Sequence, residues 1–133
     1  MKTIEEWNQW GKDSLPGLVG FQVVSMEPGK LTARMPVRPE VLAPHGFLHA
    51  ASVVALADSS CGYGTMFDLP EDAKSFTTIE LKTNFLGTAR SGTVKCEATR
   101  VHNGRSTQVW DAVVKDETGK AIALFRCTQI ILR

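Results

Sequence analysis

The chain has 133 residues, with 15 Lys and Arg against 14 Asp and Glu, a formal net charge of +1 and 43% hydrophobic residues. That length carries one domain with its own core, without help from metal or disulfides, and the balanced charge excludes a surface built mainly for nucleic acid or an anionic membrane. The cysteines Cys61, Cys96 and Cys127 are odd in number and lack short spacing, which argues against a zinc site or disulfide framework and for a reducing compartment.

Residues 3–12 predict a short amphipathic helix, with Glu5 and Glu6 at its start and Ile4, Trp7 and Trp10 recurring at spacing three. Trp7 and Trp10 are expected to pack that helix onto the body. Residues 17–26 and 30–37 predict two strands joined by the turn Glu27-Pro28-Gly29. Leu31, Ala33, Met35 and Val37 alternate with polar positions, and Pro36 and Pro39 end that strand or place it at an edge. Residues 38–46 predict a loop. Residues 49–66 exceed strand length and have no breaker before Gly62, which predicts a helix buried nearly all round. Its residues are small (Ala50, Ala51, Ser52, Ala55, Ala57, Ser59, Ser60, Gly62), so a sheet can approach closely. Asp58 and His49 make it a poor membrane span. The acidic, polar N-terminal segment does not resemble a secretory signal, so a soluble cytoplasmic protein is expected.

Residues 75–86, 92–102, 106–115 and 120–132 predict four long strands, with hairpin turns at Asn103-Gly104-Arg105 and Asp116-Glu117-Thr118-Gly119. Trp110 reads as a sheet residue. The order is a short helix, two strands, one long buried helix and four antiparallel strands. It predicts an α+β class in which one helix sits against a curved sheet, as a single domain over residues 1–133.

Asp58 is the only charged side chain between Ala50 and Met66. Removing a carboxylate from water is costly, so it is either satisfied at a helix edge by hydroxyls such as Ser59 and Ser60, or used as a base or nucleophile. His49 falls where the Pro44-His45-Gly46 loop enters the helix, beside backbone N–H groups without intrahelical partners. Such a start can polarise a carbonyl oxygen; a capping or packing role is the alternative, and His45 is a competing candidate. Nine helical residues separate His49 from Asp58, a rise of about 13 Å. One chain's pair therefore cannot grip one scissile bond, and a catalytic reading predicts a two-fold dimer that combines His49 of one chain with Asp58 of the other.

The segment from His49 to Asp58, followed by Ser75-Phe-Thr-Thr-Ile-Glu-Leu-Lys-Thr-Asn-Phe-Leu to Gly92, resembles the hotdog-fold acyl-CoA thioesterases of the phenylacetate-pathway and 4-hydroxybenzoyl-CoA type. Asn84-Phe85-Leu86 and Ala89-Arg90 match the family's strand end, and Ala123-Leu124-Phe125-Arg126 its last strand. The resemblance implies a hotdog fold, an antiparallel sheet wrapped around the long helix, in a homodimer with a continuous sheet or a dimer of dimers. It implies hydrolysis of a coenzyme A thioester of an aryl-acyl or medium-chain group, with no cofactor and no metal. By position, Asp58 matches the catalytic carboxylate, His49 the histidine that holds the thioester end, Ala50 the backbone N–H that meets the carbonyl, and Thr78 a Ser/Thr that places water in some relatives. Arg90 and the turn Gly104-Arg105-Ser106 resemble positions that touch the nucleotide. Phe47, Leu48, Tyr63 and Met66 flank the site as candidate walls of the acyl cavity or as interface core. Cys61 has no base nearby and is not read as a nucleophile.

This chain departs from the pattern in two ways. Ala50 and Ala51 replace the motif glycines, which keeps the N–H provided φ stays negative, and Ala43 stands where Asn or Gln is usual. These departures favour a second reading, a module that binds acyl-CoA without cleaving it. A hotdog hydratase or dehydratase is a third, against which the nine-residue spacing argues.

Overall fold

The computed structural model describes residues 2–133. Helix α1 (Ile4–Trp10) begins at Thr3, whose hydroxyl accepts from the Glu6 N–H while the Glu6 carboxylate accepts from the Thr3 N–H. Two donors that lack helical partners are thereby satisfied. Trp7 is buried, and both Trp7 and Trp10 pack against Tyr63, as expected for residues that dock the helix on the body.

The strand predicted over residues 17–26 is shorter, and its first part is helical. Leu15–Val19 forms a short helix, α2, and strand β1 covers only Gln22–Glu27. Pro16 has a helix-ready φ in the first turn, and Gly20 caps the end at φ 83°. These two residues override the apolar run.

The remaining elements are β2 (Lys30–Pro36), a single 3-10 turn at Pro39–Val41 within the predicted loop, α3 (Ala50–Phe67), β3 (Ser75–Phe85), β4 (Thr93–Asn103), β5 (Thr107–Lys115) and β6 (Ala121–Leu132). The six strands form one antiparallel sheet in the order β1-β2-β4-β5-β6-β3. β2 is therefore interior, and Pro36 ends it rather than marking an edge.

The sheet curves around α3. Leu31, Ala33 and Met35 of β2, Val94, Cys96 and Ala98 of β4, Trp110, Ala112 and Val114 of β5, and Phe125 and Cys127 of β6 are all buried. Their period of two puts one face of each strand against the helix. The small residues of α3 permit the close contact: a Cβ at Gly64 would lie 2.5 Å from Cη2 of Trp110, and one at Gly62 3.0 Å from Cζ of Phe76.

The two sheet edges differ. At β1, the Asn8 side chain covers the backbone, accepting from the Val23 N–H at 2.7 Å and donating to its carbonyl at 3.3 Å. β3 has β6 on one side and no strand on the other. On β3, Ile79, Leu81 and Phe85 are 57%, 42% and 48% exposed.

Candidate active site

His49 is the N-cap of α3. Its Nδ1 accepts from the Ala51 N–H at 2.9 Å, and its carbonyl accepts from the Ser52 and Val53 N–H groups at 3.0 and 3.2 Å. The Ala50 N–H has no acceptor among the described residues. It is the spare donor at the positive end of an 18-residue helix. Among the described residues only glycines have positive φ, so Ala50 and Ala51 keep the helical geometry that the Gly-to-Ala change required.

The approach to this helix start is held from two sides. The His49 N–H donates to the Val41 carbonyl at 3.1 Å, and the Ser52 hydroxyl donates to the same carbonyl at 2.8 Å. The Leu48 N–H donates to the Ala89 carbonyl at 2.9 Å. Between them opens a cleft of about 340 Å³ lined by Ala43, His45, Phe47, Leu48, His49, Ala50, Val53, Phe85, Gly87 and Thr88. His45 stacks edge-on against Phe47 with ring centroids 5.1 Å apart, so it too lies at the cleft, while only His49 caps the helix.

Asp58 lies further along α3, half-buried, with its Oδ1 buried and without a hydrogen-bond partner. Burial pushes its carboxyl above the ordinary aspartate range, and the nearby Thr78 hydroxyl pulls it part of the way back. The carboxylate is thus not satisfied by Ser59 or Ser60; the Ser60 hydroxyl donates to the Leu56 carbonyl at 2.7 Å. Thr78 faces the helix from β3, and its hydroxyl donates to Oε1 of Gln129 at 2.6 Å. A desolvated carboxylate has a pKa closer to neutrality and is a stronger base when ionised.

The structure separates other residues that the sequence grouped. Arg90 lies over the Phe47 ring, 4.1 Å from its centroid, at the cleft end of β3. The Gly104-Arg105-Ser106 turn lies by the opposite end of the same strand: the Ser106 carbonyl accepts from the Ile131 N–H, and Phe76 of β3 pairs with Ile131. One chain's Arg90 and Arg105 therefore do not converge. Tyr63 is not a cleft residue; it joins the aromatic cluster with Trp7, Trp10 and Phe21. Met66 packs against the hydrophobic core, and neither lines the cleft. The Cys61 thiol is fully buried and pushed well up by desolvation, consistent with an unreactive core thiol.

Sequence reasoning missed Gln108 and Gln129, both 0% exposed and directly opposite each other across β5 and β6. The signal was present: counting by twos from Phe125 and Cys127 reaches Gln129, and counting back from Trp110 reaches Gln108. Two amides at inward positions call for an explanation.

Comparison with known proteins places these features in a family. The thioesterase superfamily profile matches residues 45–123, from the loop before α3 into β6. The chain belongs to the thioesterase superfamily. It is 34% identical over 110 residues, 83% of this chain and 89% of the other, to a protein of Listeria monocytogenes named 1,4-dihydroxy-2-naphthoyl-CoA hydrolase. A crystal structure of a mutant thioesterase from Pseudomonas aeruginosa superposes with a TM-score of 0.93 at 30% identity, covering 99% of this chain and 95% of that one. The PaaI protein from the Escherichia coli phenylacetic acid degradation operon, at 22% identity, TM-score 0.84 and coverage of 96% and 91%, shares the fold. The hotdog architecture expected from the resemblance is the one this thioesterase has. Among the described residues, no helix is long and apolar enough to cross a membrane, and no cluster of three or more His, Cys, Asp or Glu side chains suits a metal ion.

Proposed function

We propose that this thioesterase hydrolyses an acyl-coenzyme A, with an aryl-acyl group favoured over a medium-chain one, and that Asp58 is its catalytic carboxylate. The observation that carries the proposal is the pairing of two incomplete groups on one helix. One is a buried carboxylate oxygen with no partner, and the other is a helix-start N–H with no acceptor. A thioester with its attacking water supplies an acceptor for the N–H and a donor or an electrophile for the carboxylate. Its carbonyl oxygen takes the Ala50 N–H and gains negative charge at the helix N-terminus. Its carbonyl carbon receives either the Asp58 carboxylate, giving an acyl anhydride that water then cleaves to free acid, or a water whose proton Asp58 takes; in both routes the C–S bond breaks and the coenzyme A thiolate leaves, protonated by water or by the protonated Asp58. The name of the Listeria relative supports the aryl-acyl preference.

The two groups act on one bond only if two chains combine. The open β3 edge, with Leu81 and Phe85 exposed on it, fits antiparallel pairing with β3 of a second copy. A two-fold axis near the middle of β3 sets the Thr78 end of one strand beside the Phe85 end of the other. Asp58 of one chain then faces the helix start, His49 and cleft of its partner. The same operation brings Arg90 of one chain toward Arg105 of the other, so the nucleotide contacts divide between subunits as the catalytic groups do.

The test is thiol release from a panel of aryl-acyl and aliphatic acyl-CoAs by the wild type, Asp58→Asn and Asp58→Ala. Loss of at least about a hundredfold in kcat for both variants is expected for a general base or nucleophile. Equal rates in all three remove Asp58 from the chemistry. Tight acyl-CoA binding without thiol release in the wild type identifies a binding module instead.

A further inference from the structure

The open edge strand carries two charges that its own chain leaves uncompensated. Along β3, Phe76, Thr78, Leu81, Thr83 and Phe85 stand opposite buried residues of β6 and so face α3. Glu80, Lys82 and Asn84 stand opposite Thr128, Arg126 and Leu124 and face outward. The two series keep in step because the register shifts by one residue at Ile79, between Thr78 and Glu80. Lys82 is thereby set directly beside Arg126, a cation beside a cation, which is unfavourable. Arg126 has its own acid: Nε and Nη2 donate to the Asp111 carboxylate of β5 at 2.5 and 2.8 Å. Lys82 has none. Glu80 has only the neutral Thr128 beside it, and neither Glu80 nor Lys82 forms an ion pair among the described residues. The row across the outer face therefore reads Asp111, Arg126, Lys82 and then the open edge. An anion is missing at its end.

A second copy added to that edge supplies the anion in one register. Inward residues must meet inward residues in a continuous pleated sheet, so a two-fold axis sets one residue of β3 opposite its own copy. Near the middle of the strand that residue is Glu80, Leu81, Lys82 or Thr83. An axis at Glu80 sets carboxylate against carboxylate. An axis at Lys82 sets ammonium against ammonium, with an Arg126 behind each. An axis at Thr83 puts Lys82 opposite Asn84 and compensates neither charge. An axis at Leu81 sets Lys82 opposite the partner's Glu80, twice, with Cβ atoms about 5 Å apart and the charged ends in reach. The two shifts at Ile79 then fall symmetrically about the axis, so Thr83 meets the partner's Thr78 and Phe85 the partner's Phe76.

We propose that a second copy docks on β3 with Leu81 opposite Leu81, in a register selected by two Lys82–Glu80 ion pairs across the seam. This register, which rests on the two-chain reading of the site, fixes how the two half-sites meet. Phe85 lines the cleft in front of Ala50, and Phe76 lies against Gly62, one turn beyond Asp58 on α3. Phe85 opposite the partner's Phe76 therefore lays the cleft of one chain against the helix turn that carries Asp58 in the other. The smallest slip the pleat allows is two residues, about 7 Å. That slip parts the helix-start N–H from the carboxylate that must act on the same carbonyl. Exposed ion pairs add little affinity singly. Here they act against registers that oppose like charges, and symmetry counts each pair twice, so they supply specificity while the apolar seam supplies affinity.

The experiment is subunit mixing of the full chain, read by native mass spectrometry after two variants are refolded together from urea. Effects within a chain cancel, because each chain is the same in either kind of dimer. Lys82→Glu mixed with Glu80→Lys turns repulsive homodimers into a complementary heterodimer, which should exceed its binomial share by about tenfold. The wild type mixed with the double variant Glu80→Lys/Lys82→Glu should do the reverse: each homodimer has matched pairs, the heterodimer has like charges at both, and it should fall below its binomial share by a similar factor. Both preferences should shrink as salt is added, since the pairs are exposed. An axis at Glu80 or Lys82 predicts excess heterodimer in the second mixture, and an axis at Thr83 predicts binomial mixing in both; either result overturns the register. A monomeric wild type overturns the two-chain reading itself, whereas a dimer that mixes without preference overturns the register alone. Mass is read without turnover, so absence of thiol release bears on the proposed function and not on the seam.

Discussion

Replacing Asp58 by Asn should abolish activity and yet make the fold more stable at neutral pH. In the native state Oδ1 of Asp58 is buried without a partner. An unsatisfied buried polar group costs about 1–3 kcal/mol, and more when charged. Because Asp58 is half-buried and the Thr78 hydroxyl is near, and because Asn keeps a buried amide, the gain on removing the charge belongs at the low end, about 1 kcal/mol. For a domain of this length that is roughly 3–5 °C in Tm. The gain has a pH signature. The native pKa of Asp58 lies above its ordinary value of 3.8, so between the two values the native state binds more protons than the unfolded chain. Stability of the wild type, relative to the variant, therefore falls as pH rises through that window and levels off above it. The Tm of Asp58→Asn minus that of the wild type should be positive at pH 7.5 and should shrink toward zero near pH 4. Calorimetric scans at matched protein concentration from pH 4 to 8 measure it, other groups cancelling in the difference. A variant less stable than the wild type at pH 7.5, or a difference that does not close in acid, refutes the claim that Asp58 is ionised at a cost to the fold.

Two further outcomes test the scaffold and the assembly. Gly64→Ala puts a Cβ 2.5 Å from the Trp110 ring and should destabilise by about 1–3 kcal/mol through overpacking, read from the urea midpoint. Leu81→Glu places a charge on the exposed inner side of the open edge strand; sedimentation should show a loss of the dimer with a parallel loss of activity, and a monomeric wild type with full activity refutes the two-chain site.

Much of the fold was legible because its signals are local. The Leu31-Ala33-Met35 alternation marks a strand that buries one face, and both hairpin turns carry glycine where the chain reverses. The small-residue helix was legible because its length excludes a strand. The first strand was misplaced because hydropathy there favours β structure while Pro16 and Gly20 favour a helical turn, and backbone geometry prevailed. Asp58 and His49 stood out as polar residues in apolar surroundings. Gln108 and Gln129 did not, since an amide among alternating residues looks like an outward position until the strand's inward face is known.

What the chain alone determined is the set of elements and the lone carboxylate on its small-residue helix, because period, length and breakers act over a few residues. Strand order was decided only in three dimensions. β3 follows α3 in the chain yet lies beyond β6, next to the last strand. That placement brings Thr78 beside Asp58, sets two amides in a row behind it, and leaves an apolar edge open. It depends on which strands exchange hydrogen bonds across tens of residues, which no local pattern encodes.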